Sequence, residues 1–448
     1  MKKSTFLGIA ILAFAVAASS SQTFTNLVNF DDLDGTTPAA GLIQGTDGNL
    51  YGMTSYGGTQ DAGTVFKTDT QGDLTTLVSF ADGNNDATPL GPLLQDTNGS
   101  FYGTTFDGAG YGTIFKLDPK GNLTTLYSFC STNCPQGNGP QSGLIQGSDG
   151  HLYGTTLYGG TYDAGTVFKI TVAGKLTSLY SFCEGAGCGG AGYGIYTGVI
   201  QGVDGAYYGT TAYGGSHGYG TFYKITSKGK LAILYNFCSQ PSCADGGEPF
   251  EVMQAGDGNF YGTTATGGNR GGTVFKITPG GQLTVLYTFC AQSGCPDGST
   301  SNGGLVQGTD GNFYGTTTQG GASGNGTVFQ ITPTGALTTL HSFDQTDGAV
   351  PVGILLQSTN GTFYGTTSEG GSGGSRCGYI GCGTVFSLSV GLGPFVATRP
   401  TSGKIGAKVI ILGTDLQGTS AVAFNGTSAT FKVVSNTEIT AKVPAGAT

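Results

Sequence analysis

Ten cysteines are the residues of this 448-residue chain whose spacing most clearly implies chemistry. They fall into five close pairs: Cys130/Cys134, Cys183/Cys188, Cys238/Cys243, Cys290/Cys295 and Cys377/Cys382. An even number of locally paired cysteines in an exported protein indicates disulfides. Zinc is the alternative, but no pair has a histidine partner or Cys-x-x-Cys spacing. We therefore expect five disulfides and no metal site.

Histidine is the side chain that most often performs general acid–base catalysis, and the chain has 3. His151 takes a turn position that Asn49 fills elsewhere, and His341 takes a strand position that Tyr127 fills elsewhere. Only His217 lies in a variable loop, where a lone histidine is more often a surface residue than a base. No phosphate loop, Gly-x-Ser-x-Gly elbow or metal motif is present. We expect no catalytic residue and no cofactor.

A repeat of about fifty residues, clearest at positions 143–182, must position these side chains. Its Tyr-Gly pair recurs along most of the chain, and a near-constant spacing indicates a repeat architecture. The tyrosines of these pairs are Tyr51, Tyr102, Tyr153, Tyr208, Tyr261, Tyr314 and Tyr364.

Each repeat is predicted to contain four antiparallel strands. In the clearest copy, an Asp-Gly pair at Asp149 predicts a hairpin with two residues at positive φ. The flanking runs are rich in β-branched and aromatic residues, as strands are. The predicted strands of that copy are 144–146, 152–156, 165–170 and 176–182. Four such strands in fifty residues are typical of a propeller blade.

Counting the strands predicts an all-β fold, a seven-bladed β-propeller closed by an N-terminal strand. Seven second strands and seven third strands can be identified, but only six fourth strands. Residues 24–30 match the fourth strand at 123–129 in pattern, so they supply the missing one. Closure of the ring removes the open sheet edges that favour aggregation.

The N-terminus predicts export. Lys2 and Lys3 precede an apolar run and then small residues, so we expect residues 1–21 to be a secretory signal peptide. Without it, 16 basic residues (18 − 2) face 27 acidic ones, a net charge of −11. Such a charge argues against nucleic acid and anionic membranes. We expect a secreted, cell-surface or periplasmic monomer without a transmembrane segment in the mature chain.

Propeller topology places the loops between blades and the loops from second to third strands at one end of the ring, here called the loop face. The cysteine pairs fall there, together with fifteen acidic residues and only two arginines, Arg270 and Arg376. The acidic residues are Asp31, Asp32, Asp34, Asp61, Asp82, Asp86, Asp107, Asp163, Glu184, Asp245, Glu248, Asp297, Asp344, Asp347 and Glu369. They could simply stabilise Gly-rich turns. Alternatively, they select cationic or hydroxyl-rich ligands.

A glutamine also recurs seven residues before each tyrosine, at the end of the predicted first strand. These are Gln44, Gln95, Gln146, Gln201, Gln254, Gln307 and Gln357. The amides could ring the central channel as a site. We favour the alternative that each satisfies backbone groups of the neighbouring blade, because buried polar groups need partners. The Gly-Thr-Thr that follows six of the seven tyrosines (Gly-Met-Thr follows Tyr51) is likewise expected to serve packing.

The repeat segments GLIQG (143–147), DGNLY (47–51), GTVFKI (165–170) and LTTLYSF (123–129) resemble the GloVer tandem repeat of exported bacterial proteins. That resemblance implies export and a propeller-like fold, but it transfers no catalytic residues. The hairpin also resembles that of streptogramin-lyase-like propellers, although Trp is absent and no matching acid–base set can be placed.

The tail resembles an IPT/TIG domain, an immunoglobulin-like sandwich, in the segments 400–403, 409–413, 422–426 and 437–444. Such domains normally continue with a further strand, so the resemblance implies either an incomplete sandwich or a truncated chain. We therefore predict a signal peptide at 1–21, a propeller at 22–391 and this sandwich at 392–448.

Two classes of function remain. The first is an exported, non-catalytic module that binds a glycan or an extracellular protein through its loop face. The second is a secreted propeller enzyme, a lyase or hydrolase acting on polysaccharide or a small substrate. The first is favoured because the variable loops offer aromatic and polar side chains without an acid–base set. The predicted ligand-binding residues are Tyr158, Tyr162, Tyr213, His217 and Arg270.

Overall fold

The computed structural model describes residues 22–81, 88–107, 110–130, 134–183, 190–372, 377–401 and 404–447. The predicted signal peptide lies outside these residues.

The first described strand is β1 (Thr23–Asn29). Blade 1 contains β2 (Ile43–Gln44), β3 (Leu50–Thr54), β4 (Thr64–Thr68) and β5 (Leu74–Ser79). Blade 2 contains β6 (Leu94–Gln95), β7 (Phe101–Thr105), β8 (Thr113–Leu117) and β9 (Leu123–Ser128). Blade 3 contains β10 (Ile145–Gln146), β11 (Leu152–Thr156), β12 (Thr166–Ile170) and β13 (Leu176–Ser181).

The remaining blades repeat this order. Blade 4 contains β14 (Ile200–Gln201), β15 (Tyr207–Thr211), β16 (Thr221–Ile225) and β17 (Leu231–Asn236). Blade 5 contains β18 (Gly247–Gln254), β19 (Phe260–Thr266), β20 (Thr273–Ile277) and β21 (Leu283–Thr288). Blade 6 contains β22 (Val306–Gln307), β23 (Phe313–Thr317), β24 (Thr327–Ile331) and β25 (Leu337–Ser342). Blade 7 contains β26 (Ala349–Pro351), β27 (Leu356–Gln357), β28 (Phe363–Glu369) and β29 (Thr384–Ser389).

The blades form the predicted seven-bladed propeller, and the N-terminal strand closes it. Blades 1 to 6 are antiparallel sheets in which each strand pairs with the next. In blade 7, β1 pairs antiparallel with β29 and takes the place of the fourth strand. Apolar side chains from neighbouring sheets pack together in clusters that link each blade to the next. The described residues contain no helix with the length and apolar character of a membrane span.

The strand bounds in blade 3 match the prediction within one residue, but the predicted turn geometry is wrong. Only Gly150 has positive φ in the Asp149-Gly150 turn. The Gly150 amide donates to the Gly147 carbonyl at 2.8 Å, and the Gly147 amide donates to the His151 carbonyl at 2.8 Å. This is the longer hairpin loop with one left-handed glycine, not the two-residue turn that needs two.

The glycine of each Tyr-Gly pair makes room for an aromatic ring from the third strand of the same blade. A Cβ atom on Gly154 would lie 2.7 Å from the Phe168 Cζ atom and 2.8 Å from Leu144 Cδ2. Phe168 is completely buried. The equivalent glycines of the other blades meet a ring in the same way, namely Gly52, Gly103, Gly209, Gly262, Gly315 and Gly365. The pair therefore recurs because of packing.

The two threonines after that glycine hold strands and blades together through their hydroxyl groups. The second one shares a hydrogen bond with the first threonine of the third strand in all seven blades, as Thr156 does with Thr166 at 2.9 Å. In five blades the first one donates to a carbonyl of the segment that enters the following blade, as Thr155 does to Thr197 at 2.9 Å. They serve structure, as predicted, and do so by hydrogen bonding as well as by packing.

The recurring glutamines link adjacent blades, as the favoured interpretation predicts. The Gln95 side-chain oxygen accepts a hydrogen bond from the Thr46 amide of blade 1 at 3.1 Å. The same bond, at 2.9 to 3.1 Å, joins Gln201, Gln254, Gln307, Gln357 and Gln44 to the preceding blade around the ring. These amides lie at the turn face, the end of the ring that carries the first-to-second and third-to-fourth strand turns. They are structural links.

The tail forms its own β-structure and docks on the turn face. Its strands are β30 (Ala397–Arg399), β31 (Lys408–Leu412), β32 (Ala423–Phe424), β33 (Thr427–Ser428), β34 (Phe431–Val433) and β35 (Glu438–Lys442). They form a sheet of order β30-β31-β35-β34 and a separate β32-β33 hairpin around a common apolar cluster. This arrangement fits the immunoglobulin-like class that the resemblance implies.

Arg399 makes the main polar contact between the tail and the propeller. Its guanidinium donates to the Gln44 carbonyl at 2.6 Å and to the Gln95 side-chain oxygen at 3.3 Å. Thr437 donates to the Thr46 carbonyl at 2.8 Å, and Lys408 donates to a blade 2 turn carbonyl at 3.0 Å. Burial lowers the pKa of Arg399 to about 10, so the side chain stays protonated at neutral pH. The tail thus covers the turn face beside blades 1 and 2.

Candidate functional site

The loop face is built as the topology predicts, with two kinds of loop lying side by side. In four blades a residue of the loop that enters the blade pairs with a residue of the loop from second to third strand. These bridges are Thr36 with Tyr56, Asn138 with Tyr158, Tyr193 with Tyr213, and Ser299 with Gln319. In these four blades the backbone of the variable loop is therefore fixed by its neighbour, which gives the loop side chains defined positions.

Disulfides support these loops. The pairs Cys130–Cys134, Cys238–Cys243, Cys290–Cys295 and Cys377–Cys382 are bonded, and no described cysteine is free. Cys183 is also disulfide-bonded, whereas Cys188 lies outside the described residues. The second cysteine of a pair uses its carbonyl to hold a variable loop. Cys134 accepts from the Gly160 amide at 2.7 Å, and Cys243 from the Gly268 amide at 2.9 Å.

Replacing Cys238 and Cys243 by serine is expected to lower the free energy of unfolding by about 2 kcal/mol, because the bond closes a loop of about six residues. Hydrogen exchange at the Gly268 amide should also become faster, since the carbonyl of Cys243 holds it. Thiol counting by mass spectrometry of the exported protein should find no free cysteine. Free thiols or bound zinc in the wild type would contradict the disulfide assignment.

The five residues predicted to bind ligand lie in loops of three adjacent blades on the loop face, but no contact joins them into one cluster within the described residues. Tyr158 and Tyr162 extend from blade 3, with 50% and 61% of their surface exposed. His217 is exposed on blade 4, and Arg270 is exposed on blade 5. Arg270 has a φ of 74°, in the left-handed region. Their binding role stays a prediction.

Tyr213 differs from the other four because its side chain is half-buried. Its ring centroid lies 5.6 Å from that of Tyr193 and 6.1 Å from that of Tyr196. Burial is the largest cause that raises the pKa of Tyr196, and the neighbouring Tyr213 and Glu248 raise it further. Burial also raises the pKa of Glu248. Tyr213 is therefore part of a packed tyrosine cluster and supports the exposed residues beside it.

Exposed tyrosines mark a larger surface than the sequence prediction named. Every largely exposed aromatic side chain among the described residues is a tyrosine in the second-to-third-strand loop of blades 1 to 4. They are Tyr56, Tyr111, Tyr158, Tyr162 and Tyr219, and we call them the tyrosine sector. Sequence reasoning missed Tyr56, Tyr111 and Tyr219, although they lie in the same variable loops. Only exposure separates these tyrosines from the buried ones of the repeat.

Most of the loop-face aspartates that can be described stabilise their own loops. Asp163 accepts from the Gly159 amide at 2.9 Å, and Asp61 accepts from the Gly57 amide at 2.8 Å. Asp245 accepts from the Ser239 amide and from the Tyr235 hydroxyl at 2.8 and 2.7 Å. Asp82, Asp86 and Glu184 lie outside the described residues. The turn-forming role proposed for these acids is therefore present in the structure.

Two of the three histidines also have local structural partners. His341 Nε2 lies 2.7 Å from Asp347 Oδ2, in the position where Tyr287 in blade 5 contacts Asp297. His151 Nδ1 lies 3.2 Å from Asp149 Oδ2 at the turn face. Within the described part of the chain, no group of three or more His, Cys, Asp or Glu side chains could hold a metal ion.

A residue at the centre of the ring was also missed. Each blade contributes one residue, three positions before its recurring glutamine, to a ring around the propeller axis. We call these seven residues the axial ring. They are Gly41, Pro92, Gly143, Gly198, Glu251, Gly304 and Ile354. Glu251 is the one charged member. Aligning the seven repeats would have revealed it, because a carboxylate replaces glycine, proline or isoleucine there.

Comparison with known proteins agrees with this architecture. The family model described as Gloeobacter/Verrucomicrobia repeat matches residues 12–195 and 194–420. The IPT/TIG domain model matches residues 396–448. No curated protein matches the sequence significantly.

Solved structures with the same fold include an enzyme and extracellular domains. A catalytically inactive virginiamycin B lyase from Staphylococcus aureus, with quinupristin, aligns with a TM-score of 0.54 at 15% identity, over 82% of this chain and 99% of that one. The extracellular domain of the hybrid two component system BT3049 from B. thetaiotaomicron aligns with a TM-score of 0.52 at 12% identity, over 90% of this chain and 48% of that one. A second extracellular domain from that organism, BT4673, gives a TM-score of 0.53 at 11% identity, over 93% of this chain and 54% of that one. At these identities the likeness concerns the fold.

Proposed function

The chain belongs to the Gloeobacter/Verrucomicrobia repeat family, and from this premise we propose that it is an exported propeller module that binds a glycan through the tyrosine sector. Local disulfides are typical of exported proteins, and extracellular domains are among the structures with this fold. The protein is then a binding module of the cell exterior, and its tail domain lies away from the binding surface.

The observation that carries this proposal is the confinement of the exposed aromatic side chains to one sector of the loop face. Tyr158 and Tyr162 expose 50% and 61% of their surface to solvent. An exposed tyrosine offers a flat apolar face and a hydroxyl group, which suits a ligand that is apolar on one side and polar on the other. Sugar rings have this character, and the rigid ring of blades preorganises the loops to receive them.

A glycan array and calorimetry with the tightest hit test the proposal. Replacing Tyr158 and Tyr162 by alanine should weaken binding about tenfold or more, because losing two stacking contacts costs at least about 1.4 kcal/mol. Replacing Tyr213, which is half-buried, should weaken binding and also lower the melting temperature by a few degrees.

The matched control is the pair Val172 and Val203, exposed apolar side chains on the turn face of blades 3 and 4. Their replacement by alanine should leave glycan binding unchanged. Loss of binding in this control with normal binding by the tyrosine variants would place the site on the opposite face. A wild-type protein that binds no glycan would reject the glycan proposal and favour the alternatives of an extracellular protein ligand or a lyase or hydrolase activity.

A further inference from the structure

Members of the axial ring lie close to the members of adjacent blades. A Cβ atom on Gly304 would lie 3.3 Å from the Glu251 Cβ atom and 2.9 Å from Ile354 Cδ1. A Cβ atom on Gly143 would lie 2.7 Å from the carbonyl oxygen of Pro92. Adjacent blades thus approach closely at the axial ring, where four of the seven members are glycine.

Glu251 introduces a single carboxylate into this ring. Its side chain is enclosed by the propeller yet keeps part of its accessible surface, as expected for a group that lines an internal channel. None of the ion pairs formed by described residues includes it. Burial raises the pKa of Glu251 to about 7. A carboxylate in such a place is costly unless a cation compensates it.

Backbone carbonyl oxygens are the other hydrogen-bond acceptors of the axial ring. The carbonyl oxygen of Ile354 lies 2.7 Å from the Cβ position of Gly41, and that of Gly143 lies 3.4 Å from the Cβ position of Gly198. An ammonium group has three N–H donors and no acceptor, and a guanidinium has five donors. Both are satisfied by one carboxylate together with carbonyl oxygens.

We propose that the axial ring is a binding site for a small organic cation, an alkylammonium or guanidinium group, whose charge pairs with Glu251. One carboxylate provides too few charged ligands for a calcium site of the usual kind, which takes six to eight oxygens with several carboxylates. It is sufficient for a single positive charge.

The electrostatic environment directs such a ligand to enter from the loop face. Acidic loops at that end raise the local concentration of cations. At the other end, the guanidinium of Arg399 binds Gln44 and Gln95, which places a positive charge at the turn-face rim. A cation is therefore favoured to enter at the loop face, because the turn face carries basic side chains beside its aspartates. This site is separate from the tyrosine sector, so it can exist whether or not the protein binds glycans.

Calorimetry with ethylammonium chloride and guanidinium chloride as probes tests the proposal on the full-length exported protein at pH 8. Sodium chloride at equal ionic strength serves as the blank. Saturable binding of either probe is expected, and E251Q should weaken it a hundredfold or abolish it. The matched control is E369Q, at the loop-face end of blade 7, which should bind within twofold of wild type.

The pH dependence of binding follows from the ionisation of Glu251. Near pH 7 half of the carboxyl groups are charged, so lowering the pH from 8 to 6 should weaken probe binding about tenfold. The described neighbours Gly304 and Ile354 carry no charge, and Glu248 lies at the loop-face end of the same strand, β18. Equal binding at both pH values would contradict a site based on Glu251.

Carbon-13 NMR of the glutamate carboxyl groups provides a second readout that does not depend on a folded variant. The chain has five glutamates, Glu184, Glu248, Glu251, Glu369 and Glu438, so the spectrum is simple. One carboxyl should titrate near pH 7 and shift to a lower pKa by at least one unit when the probe is saturating. The proposal would be overturned if the Glu251 signal did not shift with either probe or if E251Q bound the probes equally well. A response to calcium chloride alone would also overturn it.

Discussion

Removing residues 24–30 is expected to abolish the cooperative unfolding transition of the propeller. These residues include most of β1, which pairs with β29 along its length. Val28 and Phe30 are buried in the cluster that joins blades 7 and 1, and the ring of Phe24 packs 5.5 Å from that of Phe386. Without them, β29 presents an unpaired edge and a hydrophobic cluster opens to solvent. Circular dichroism melts and size-exclusion chromatography should show a broad transition and aggregates.

A graft distinguishes loss of ring closure from loss of chain length. The segment 176–182, which contains β13 and holds the equivalent position in blade 3, can replace residues 24–30 one for one. This graft should restore most of the cooperative transition, because the outer strands of the repeats share one pattern. A deletion variant that melts exactly like the wild type would show that β1 does not close the ring.

Replacing Gly154 by alanine is expected to lower the free energy of unfolding by about 2 to 3 kcal/mol, because overpacking a filled core costs that much. The new methyl group would lie 2.7 Å from a ring atom of Phe168, far inside normal contact distance. Chemical denaturation of the purified protein measures the effect. Replacing Phe168 by leucine in the same chain should recover part of the loss, since the smaller side chain vacates the space.

Gly280 provides the matched control for this substitution. Its Cβ position has one neighbour, the Thr278 hydroxyl at 3.8 Å, so alanine fits there. Gly280→Ala should be neutral or slightly stabilising, because alanine restricts the unfolded chain. If both alanine variants were equally stable, the recurring Tyr-Gly pair would need an explanation other than the packing of the aromatic ring.

The repeat made the fold predictable from sequence, because seven copies of one pattern report the same strands independently. The bounds of β11, Leu152–Thr156, are the predicted ones. The glutamine links could also be anticipated, since a polar side chain at the end of a buried strand must find a partner. The turn at Gly150 was wrong in detail, because an Asp-Gly pair is compatible with more than one hairpin loop and the backbone hydrogen bonds decide between them.

The candidate site could be predicted only in part. Variable loops can be found by comparing the repeats, and this identified Tyr158 and Tyr162. It could not distinguish the exposed Tyr219 from the half-buried Tyr213, because both lie in one loop and their exposure depends on the packing of neighbouring loops. Glu251 was missed for a different reason. The repeats were compared for the residues that they share, whereas Glu251 differs from the residues at the same position of the other repeats.

The borrowed outer strand of blade 7 also determines the direction in which the chain leaves the propeller. Fourth strands end at the loop face, whereas third strands end at the turn face. Since β1 supplies the fourth strand, the chain departs from β29 at the turn face, where the Phe395 amide bonds to the Thr359 carbonyl at 2.9 Å. A propeller closed entirely by its own last strand would release the tail beside the tyrosine sector. Closure by the N-terminus therefore keeps the appended domain from obstructing the loops. A further domain attached at the turn face would likewise leave the loop face accessible.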